Sequence, residues 1–186
     1  MTQEEVVGQV IDALERLGVS YMIAGSFASN FHGVPRMTQD ADLVVELDEA
    51  VAVALVRDLQ HAFYLSEEAA LEAVRLRRLF NAIHLATGFK VDLVVKKDRP
   101  FSAAELARRT RGQLAGRPAS FASAEDTILT KLEWSRDAAS ARQYADALGI
   151  IRVQDASLDW AYLDHWADDL GVRELLDRAR RGDPPP

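Results

Sequence analysis

Asp40 and Asp42, in the run MTQDADLVVEL over 37–47, stand two residues apart where a strongly apolar stretch begins. Side chains alternate along a strand, so the two carboxylates share one face while Ala41 turns to the other. Like charges held so close repel each other unless a cation or a shared proton offsets them. A third acid, Asp92, is enclosed by apolar residues in FKVDLVV, 89–95. If that run pairs beside DADLVV, three carboxylates converge. Magnesium suits such a set, because it is a hard cation that takes a few carboxylates together with water and substrate phosphates. A pair of such ions can clamp the attacking and leaving oxygens of a phosphoryl transfer. Taken singly, each part has a plainer account. Asp-x-Asp arises readily by chance in a chain with 17 aspartates, and Asp92 alone reads as a salt-bridged surface residue. Gly25 and Ser26 alone read as a turn and a helix cap. It is their order along the chain that gives the combination meaning.

The elements that must position these residues follow from periodicity. Val6, Val7, Val10, Ile11, Leu14 and Leu17 recur at helical spacing and stop at Gly18, a first amphipathic helix. YMIAG is a short strand ending at Gly25, and SFASNFHGV is a helix opening on Ser26 and closing near Gly33. DADLVVEL is a second strand, EAVAVALVRDLQHAF a third helix, and 66–78 a fourth. Two β-rich runs flank Thr87 and Gly88 in LFNAIHLATGFKVDLVVKK and read as a hairpin. After Pro100 come a short helix (SAAELARRT), a brief strand (ASFAS) and a helix capped at Ser123 with an acidic first turn. From there to Arg181 the pattern is helical, with breaks expected around Gly149 and Gly171. The reading is an α/β part over 1–100, a mostly helical part over 101–182, and a disordered tail over 183–186.

Composition limits what this arrangement can belong to. A chain of 186 residues that is 48% hydrophobic and 27% charged can build one substantial core with a helical annex. The absence of cysteine removes disulfides, thiolate metal sites and cysteine nucleophiles. No apolar stretch approaches the roughly 20 residues of a membrane span, and the acidic, amphipathic N-terminus is unlike a signal peptide. A cytoplasmic protein without membrane partners is expected. The net charge of −7 discourages nonspecific nucleic-acid coating, yet 75–117 holds 11 basic and 3 acidic residues. That island is either a solvated helix face with exposed turns or an electropositive wall for a phosphate-bearing substrate. Arg142 and Asp146 have the i, i+4 spacing of an ion pair on one helix face. His32, His61, His84 and His165 lack metal-ligand spacing and are expected on surfaces or helix faces. Trp134, Trp160, Trp166, Tyr144 and Tyr162 read as packing residues.

The string IAGSFASNFHGVPRMTQDADLVV resembles the signature of the DNA polymerase β-like nucleotidyltransferase superfamily: an apolar residue, Gly-Ser, a spacer, then Asp-x-Asp in a strand. Here 13 residues separate Ser26 from Asp40. The chain is most similar to the small prokaryotic members related to abortive-infection toxins and antibiotic nucleotidyltransferases, and SAEDTILTKLEWSR with SARQYADALGI resembles their helical region. The resemblance implies a small mixed sheet with flanking helices, followed by a helical C-terminal part. It implies transfer of a nucleoside monophosphate from a nucleoside triphosphate to an acceptor hydroxyl, with pyrophosphate released. Gly25 and Ser26 match the phosphate-binding turn, where a helix N-terminus favours anions. Asp40 and Asp42 match the metal-binding pair, and Asp92 matches the third carboxylate, a metal-site member that helps activate the acceptor hydroxyl. Two magnesium ions are implied, with manganese able to replace them. Arg36 is either a triphosphate or acceptor contact or a solvated loop residue. By similarity Lys131 neutralises the triphosphate; otherwise it is a surface lysine paired near Asp126 or Glu133. The acceptor is left open among a small molecule, an RNA end and a protein. The rival reading is a partner-binding toxin–antitoxin module, non-catalytic or conditionally active, on the same fold.

Overall fold

The computed structural model describes residues 1–185. In chain order the elements are α1 (Gln3–Arg16), β1 (Tyr21–Ala24), α2 (Gly25–His32), β2 (Asp40–Val45), α3 (Glu49–Leu59) and β3 (Phe63–Tyr64). They continue with α4 (Glu67–Leu76), β4 (Leu79–His84), β5 (Lys90–Val95), α5 (Pro100–Ala107), β6 (Thr110–Leu114) and β7 (Arg117–Phe121). The helices α6 (Ala124–Ala138), α7 (Ala141–Gln154), α8 (Trp160–Asp169) and α9 (Arg173–Arg180) complete the chain, with a short 3₁₀ turn at Asp155–Ser157. Two compact units are formed: Met1–Ala24 with Thr38–Phe121, and Gly25–Met37 with Ala122 onward. The sheet therefore runs past residue 100, where the sequence pattern suggests the α/β part ends, and α2 belongs with the C-terminal helices.

The first unit is built on a seven-stranded mixed sheet in the order β3-β4-β5-β2-β1-β7-β6. At its centre β2 pairs parallel with β5 and antiparallel with β1. Alternation decides which face is core: Ala41, Leu43 and Val45 of β2 and Val91, Leu93 and Val95 of β5 are fully buried. Asp40, Asp42 and Val44 point the other way and are half-exposed. A one-residue slip of β2 would exchange these sets, so burial fixes the register. The buried stripes of α1 (Val6, Val7, Val10, Ile11, Leu14) and α3 (Ala52, Leu55, Leu59) complete this core. Each helix starts for a local reason. Thr2 and Glu5 form a reciprocal capping box on α1, while Asp48 caps α3 and Ser66 caps α4, each cap contributing about 1 kcal/mol. β3 and β6 have no counterpart in the sequence reading, which extends the third helix over Phe63 and leaves 111–114 unassigned.

In the second unit, α2 packs on α6 and α7, and α7 on α9. Ser123 caps α6 as its position in the sequence suggests, accepting from the Asp126 N–H at 3.1 Å. The break expected at Gly149 is absent: α7 runs through it, and its N-terminal boundary lies instead at Ser140. Gly171, with φ +66°, does end a helical stretch, as expected. His32 lies on α2, one of the helix positions expected, and is buried there, its Nε2 at 2.7 Å from the Ala122 carbonyl, and burial lowers its pKa. His84, in the first unit, is likewise buried, paired with the Thr87 hydroxyl. In the expected tail, the Asp183 carbonyl accepts from the Tyr144 hydroxyl and the Pro184 carbonyl from Arg178, while Pro186 lies outside the described residues. Among the described residues no helix is long and apolar enough to cross a membrane.

Two glycines give contrasting tests. A Cβ on Gly33 would lie 2.9 Å from Ile150 Cγ1 and 3.0 Å from the Ile150 backbone nitrogen, where α2 meets α7. Gly33→Ala should therefore lower the unfolding free energy by about 1–3 kcal/mol through overpacking, read as a lower urea midpoint. Gly8, inside α1, faces only the flexible end of Arg117 at 3.3 Å. Gly8→Ala should hold the midpoint or raise it, because alanine is favoured over glycine in a helix by roughly 1 kcal/mol.

Candidate active site

The acids of the first unit share one row of the sheet. Asp42 lies directly opposite Asp92 in the parallel β2–β5 pair, and Asp40 opposite Lys90. Residues opposite each other project to the same face, so Asp40, Asp42 and Asp92 are gathered on it as the sequence spacing requires. On the far side of β5, Asn81 pairs with Asp92 and Ile83 with Lys90. Asp92 is largely buried, and both its oxygens are engaged: Asn81 Nδ2 donates to Oδ1 at 2.5 Å and Lys90 Nζ to Oδ2 at 2.9 Å. The same ammonium lies 3.7 Å from Asp40 Oδ2. Its hydrogen bond to Asp92 raises the Lys90 pKa above the ordinary lysine range against partial desolvation, and the charges of Asp92, Asp40 and Asp42 add to this. Asp40 is steadied by the Thr38 hydroxyl at 3.2 Å. Among the described residues no group of three or more Asp, Glu or His side chains is drawn together closely enough to hold one ion. Asp92 is tied to Lys90 and Asn81 instead.

Asp40 and Asp42 nonetheless offer two half-exposed carboxylates on one face. Hard oxygen donors that leave room for water and phosphate oxygens are what magnesium takes.

The second unit contains the other expected residues. β1 ends at Ala24, the register partner of Asp42, and the chain turns at Gly25, whose φ of +56° is a left-handed conformation that glycine adopts without steric cost. This turn opens α2, and the first N–H groups of any helix lack intrahelical acceptors. The Ser26 hydroxyl accepts from Arg36 Nη2 at 2.9 Å. Arg36 is not a solvated loop residue. Its Nε and Nη2 form a bidentate pair with Asp146, both at 2.8 Å, and Asn30 holds its backbone from both sides at 2.7 and 3.0 Å. Lys131 is not a surface lysine either. It is 1% exposed, and its Nζ donates to Gln143 Oε1 at 2.7 Å and Asp146 Oδ2 at 2.8 Å. Asp126, the partner suggested for it, is bonded instead to Ser123 and the Tyr162 hydroxyl. Asp146 thus joins Lys131 of α6 to Arg36 and, through it, to Ser26. The i, i+4 pair suggested for Arg142 and Asp146 is replaced by these two long-range partners.

Sequence reasoning missed Lys90, Asn81 and Asp146 as functional candidates. Lys90 had a signal, since a residue two before Asp92 on a strand shares its face. Asn81 carried none without the strand register. Asp146 carried only a misleading one, because its partner Arg36 is 110 residues away.

Burial by itself raises the Asp146 pKa, yet the hydrogen bonds from Arg36 and Lys131 outweigh it and hold the carboxyl below the ordinary aspartate range. A depressed carboxylate pKa contributes stability that is present above the unfolded value, about 3.9, and lost as pH falls through the folded value. Asp146→Asn should therefore destabilise the protein at pH 7 by about 3 kcal/mol, since it removes the carboxylate that faces a buried ammonium. Denaturation of wild type and variant in parallel should show that gap narrowing below about pH 4.

No protein-family model matches the chain, and a search of curated proteins finds no match. Among solved structures, a nucleotidyltransferase-like antigenic protein from Paracoccidioides brasiliensis is similar at 18% identity, over 97% of this chain and 93% of that one, with a TM-score of 0.61. The crystal structure of ANT(2'')-Ia with adenylyl-2''-tobramycin is similar at 16% identity, over 94% and 99%, with a TM-score of 0.60. The solution structure of the same antibiotic-resistance factor gives 18% identity, 97% and 93%, and a TM-score of 0.56. The sheet order, the strand carboxylates and the glycine turn thus belong to a chain with the nucleotidyltransferase fold.

Proposed function

We propose that the protein is a magnesium-dependent nucleotidyltransferase that moves a nucleoside monophosphate from a nucleoside triphosphate to an acceptor hydroxyl. The observation that carries this reading is the register: Asp42 opposite Asp92, Asp40 on the same face, and Gly25 following the residue that pairs with Asp42. The phosphates are bound at the Gly25–Ser26 turn, where backbone N–H groups and the positive end of the α2 dipole favour anions. Arg36 fixes the Ser26 hydroxyl, and Lys131 acts through Asp146 and Arg36 as a positioning residue. Asp40 and Asp42 would hold magnesium, which when bound neutralises charge on the phosphates and makes the α-phosphorus more electrophilic.

Asp92 receives the proton of the acceptor hydroxyl. With one donor on each of its oxygens, the carboxylate keeps lone pairs for that task. The acceptor oxygen attacks the α-phosphorus in line, the bond from that phosphorus to the bridging oxygen breaks, and pyrophosphate leaves with the electron pair. The shared fold with ANT(2'')-Ia, whose complex contains an adenylylated antibiotic, supports a small hydroxylated molecule as acceptor ahead of an RNA end or a protein.

The direct test incubates the protein with each α-labelled nucleoside triphosphate, magnesium and fractionated cell extract, and follows label into an acceptor. Asp40→Asn and Asp42→Asn should each lower transfer by about a hundred- to a thousandfold, the scale of losing electrostatic stabilisation at the reacting phosphorus, with unchanged melting curves. Transfer retained by both variants would refute the assignment.

A further inference from the structure

On that reading of the sheet face, we infer that the Lys90 ammonium takes the place of a second divalent ion, so that the chain works with one bound metal. Two-metal phosphoryl-transfer sites use the second ion to bridge carboxylates and to stabilise the attacking oxygen. Here a cation of the chain's own already bridges two of them. Lys90 Nζ lies 2.9 Å from Asp92 Oδ2 and 3.7 Å from Asp40 Oδ2, reaching across the parallel β2–β5 pair.

The placement is built in. Lys90 is the register partner of Asp40 and stands two residues before Asp92 on the same strand, so its side chain shares their face. Asn81, from the neighbouring strand, fixes the other oxygen of Asp92 at 2.5 Å and keeps the carboxylate turned to the lysine.

Occupancy supports the same count. Asn81 and Lys90 already engage both oxygens of Asp92, which leaves Asp40 and Asp42 for a metal. A second ion at Asp92 would have to displace Lys90. The ammonium therefore serves as the fixed cation beside Asp92 that draws in the acceptor oxygen. Asp40 and Asp42 keep the exposure that an exchangeable ion needs.

Metal stoichiometry tests this without reference to turnover. Equilibrium dialysis of the whole chain with Mn²⁺ and the α,β-methylene analogues of ATP, GTP, CTP and UTP should give about one Mn²⁺ per bound nucleotide, against the two of a two-metal site. Lys90→Met, which keeps the aliphatic stem and removes the charge, should raise the count to about two, with circular dichroism and the melting temperature reporting that the fold is kept. Two ions per nucleotide in the wild type would overturn the inference and leave the nucleotidyltransferase reading standing. Nucleotide bound without any Mn²⁺, or no analogue bound at all, would overturn both. The wild-type count decides the matter even if the variant does not fold.

Discussion

Electrostatic repulsion along one sheet face is the constraint around which the first unit is organised. Asp40, Asp42 and Asp92 stand together because the opposite face is apolar and buried, which locks the β2–β5 register, and Lys90 offsets part of their repulsion from between the strands. Without the buried face the strands could slip and scatter the acids. The apolar alternation of DADLVV and KVDLVV and the placing of one basic residue are thus parts of a single device.

The second unit solves a related problem in a different way. Around the glycine turn its charged groups are satisfied in a chain: Lys131 and Arg36 share Asp146, and Arg36 passes the constraint on to the Ser26 hydroxyl. Breaking such a network at its shared carboxylate removes the one negative group common to a buried lysine and a partly exposed arginine. The arrangement makes the geometry of the glycine turn depend on α6 and α7, elements remote from it in sequence.

What could be read from the sequence follows from the range of the forces involved. Short-range periodicity marks α1, α3, β2 and β5, and a serine followed by acidic residues marks the start of α6, because each depends on neighbours a few residues away. β6 was silent because TRGQL has one buried side chain, Leu114, and no alternation, as an edge strand permits. β3 is two residues long and is indistinguishable from the end of a helix in the pattern of its side chains. The shared face of Asp40, Asp42 and Asp92 and the turn at Gly25 were legible from order and spacing. The partners of Arg36 and Lys131 were not, since a contact over 110 residues leaves no local trace. The i, i+4 rule pointed Asp146 to Arg142, and stronger bidentate pairing with Arg36 prevailed.

The segment Gly25–Met37 is made early and completed late. Its contacts reach 90 residues ahead from His32 to Ala122, 110 from Arg36 to Asp146, and 122 from His32 to Gln154. At ribosomal speeds of about 5–20 residues per second, the nascent α2 waits on the order of 5 to 20 seconds for the first of these partners. During that interval the apolar side of GSFASNF has nothing of its own unit to lie against. A message truncated before the codon for Asp146 would yield a polypeptide with a finished sheet and an orphaned glycine turn, a natural target for quality control.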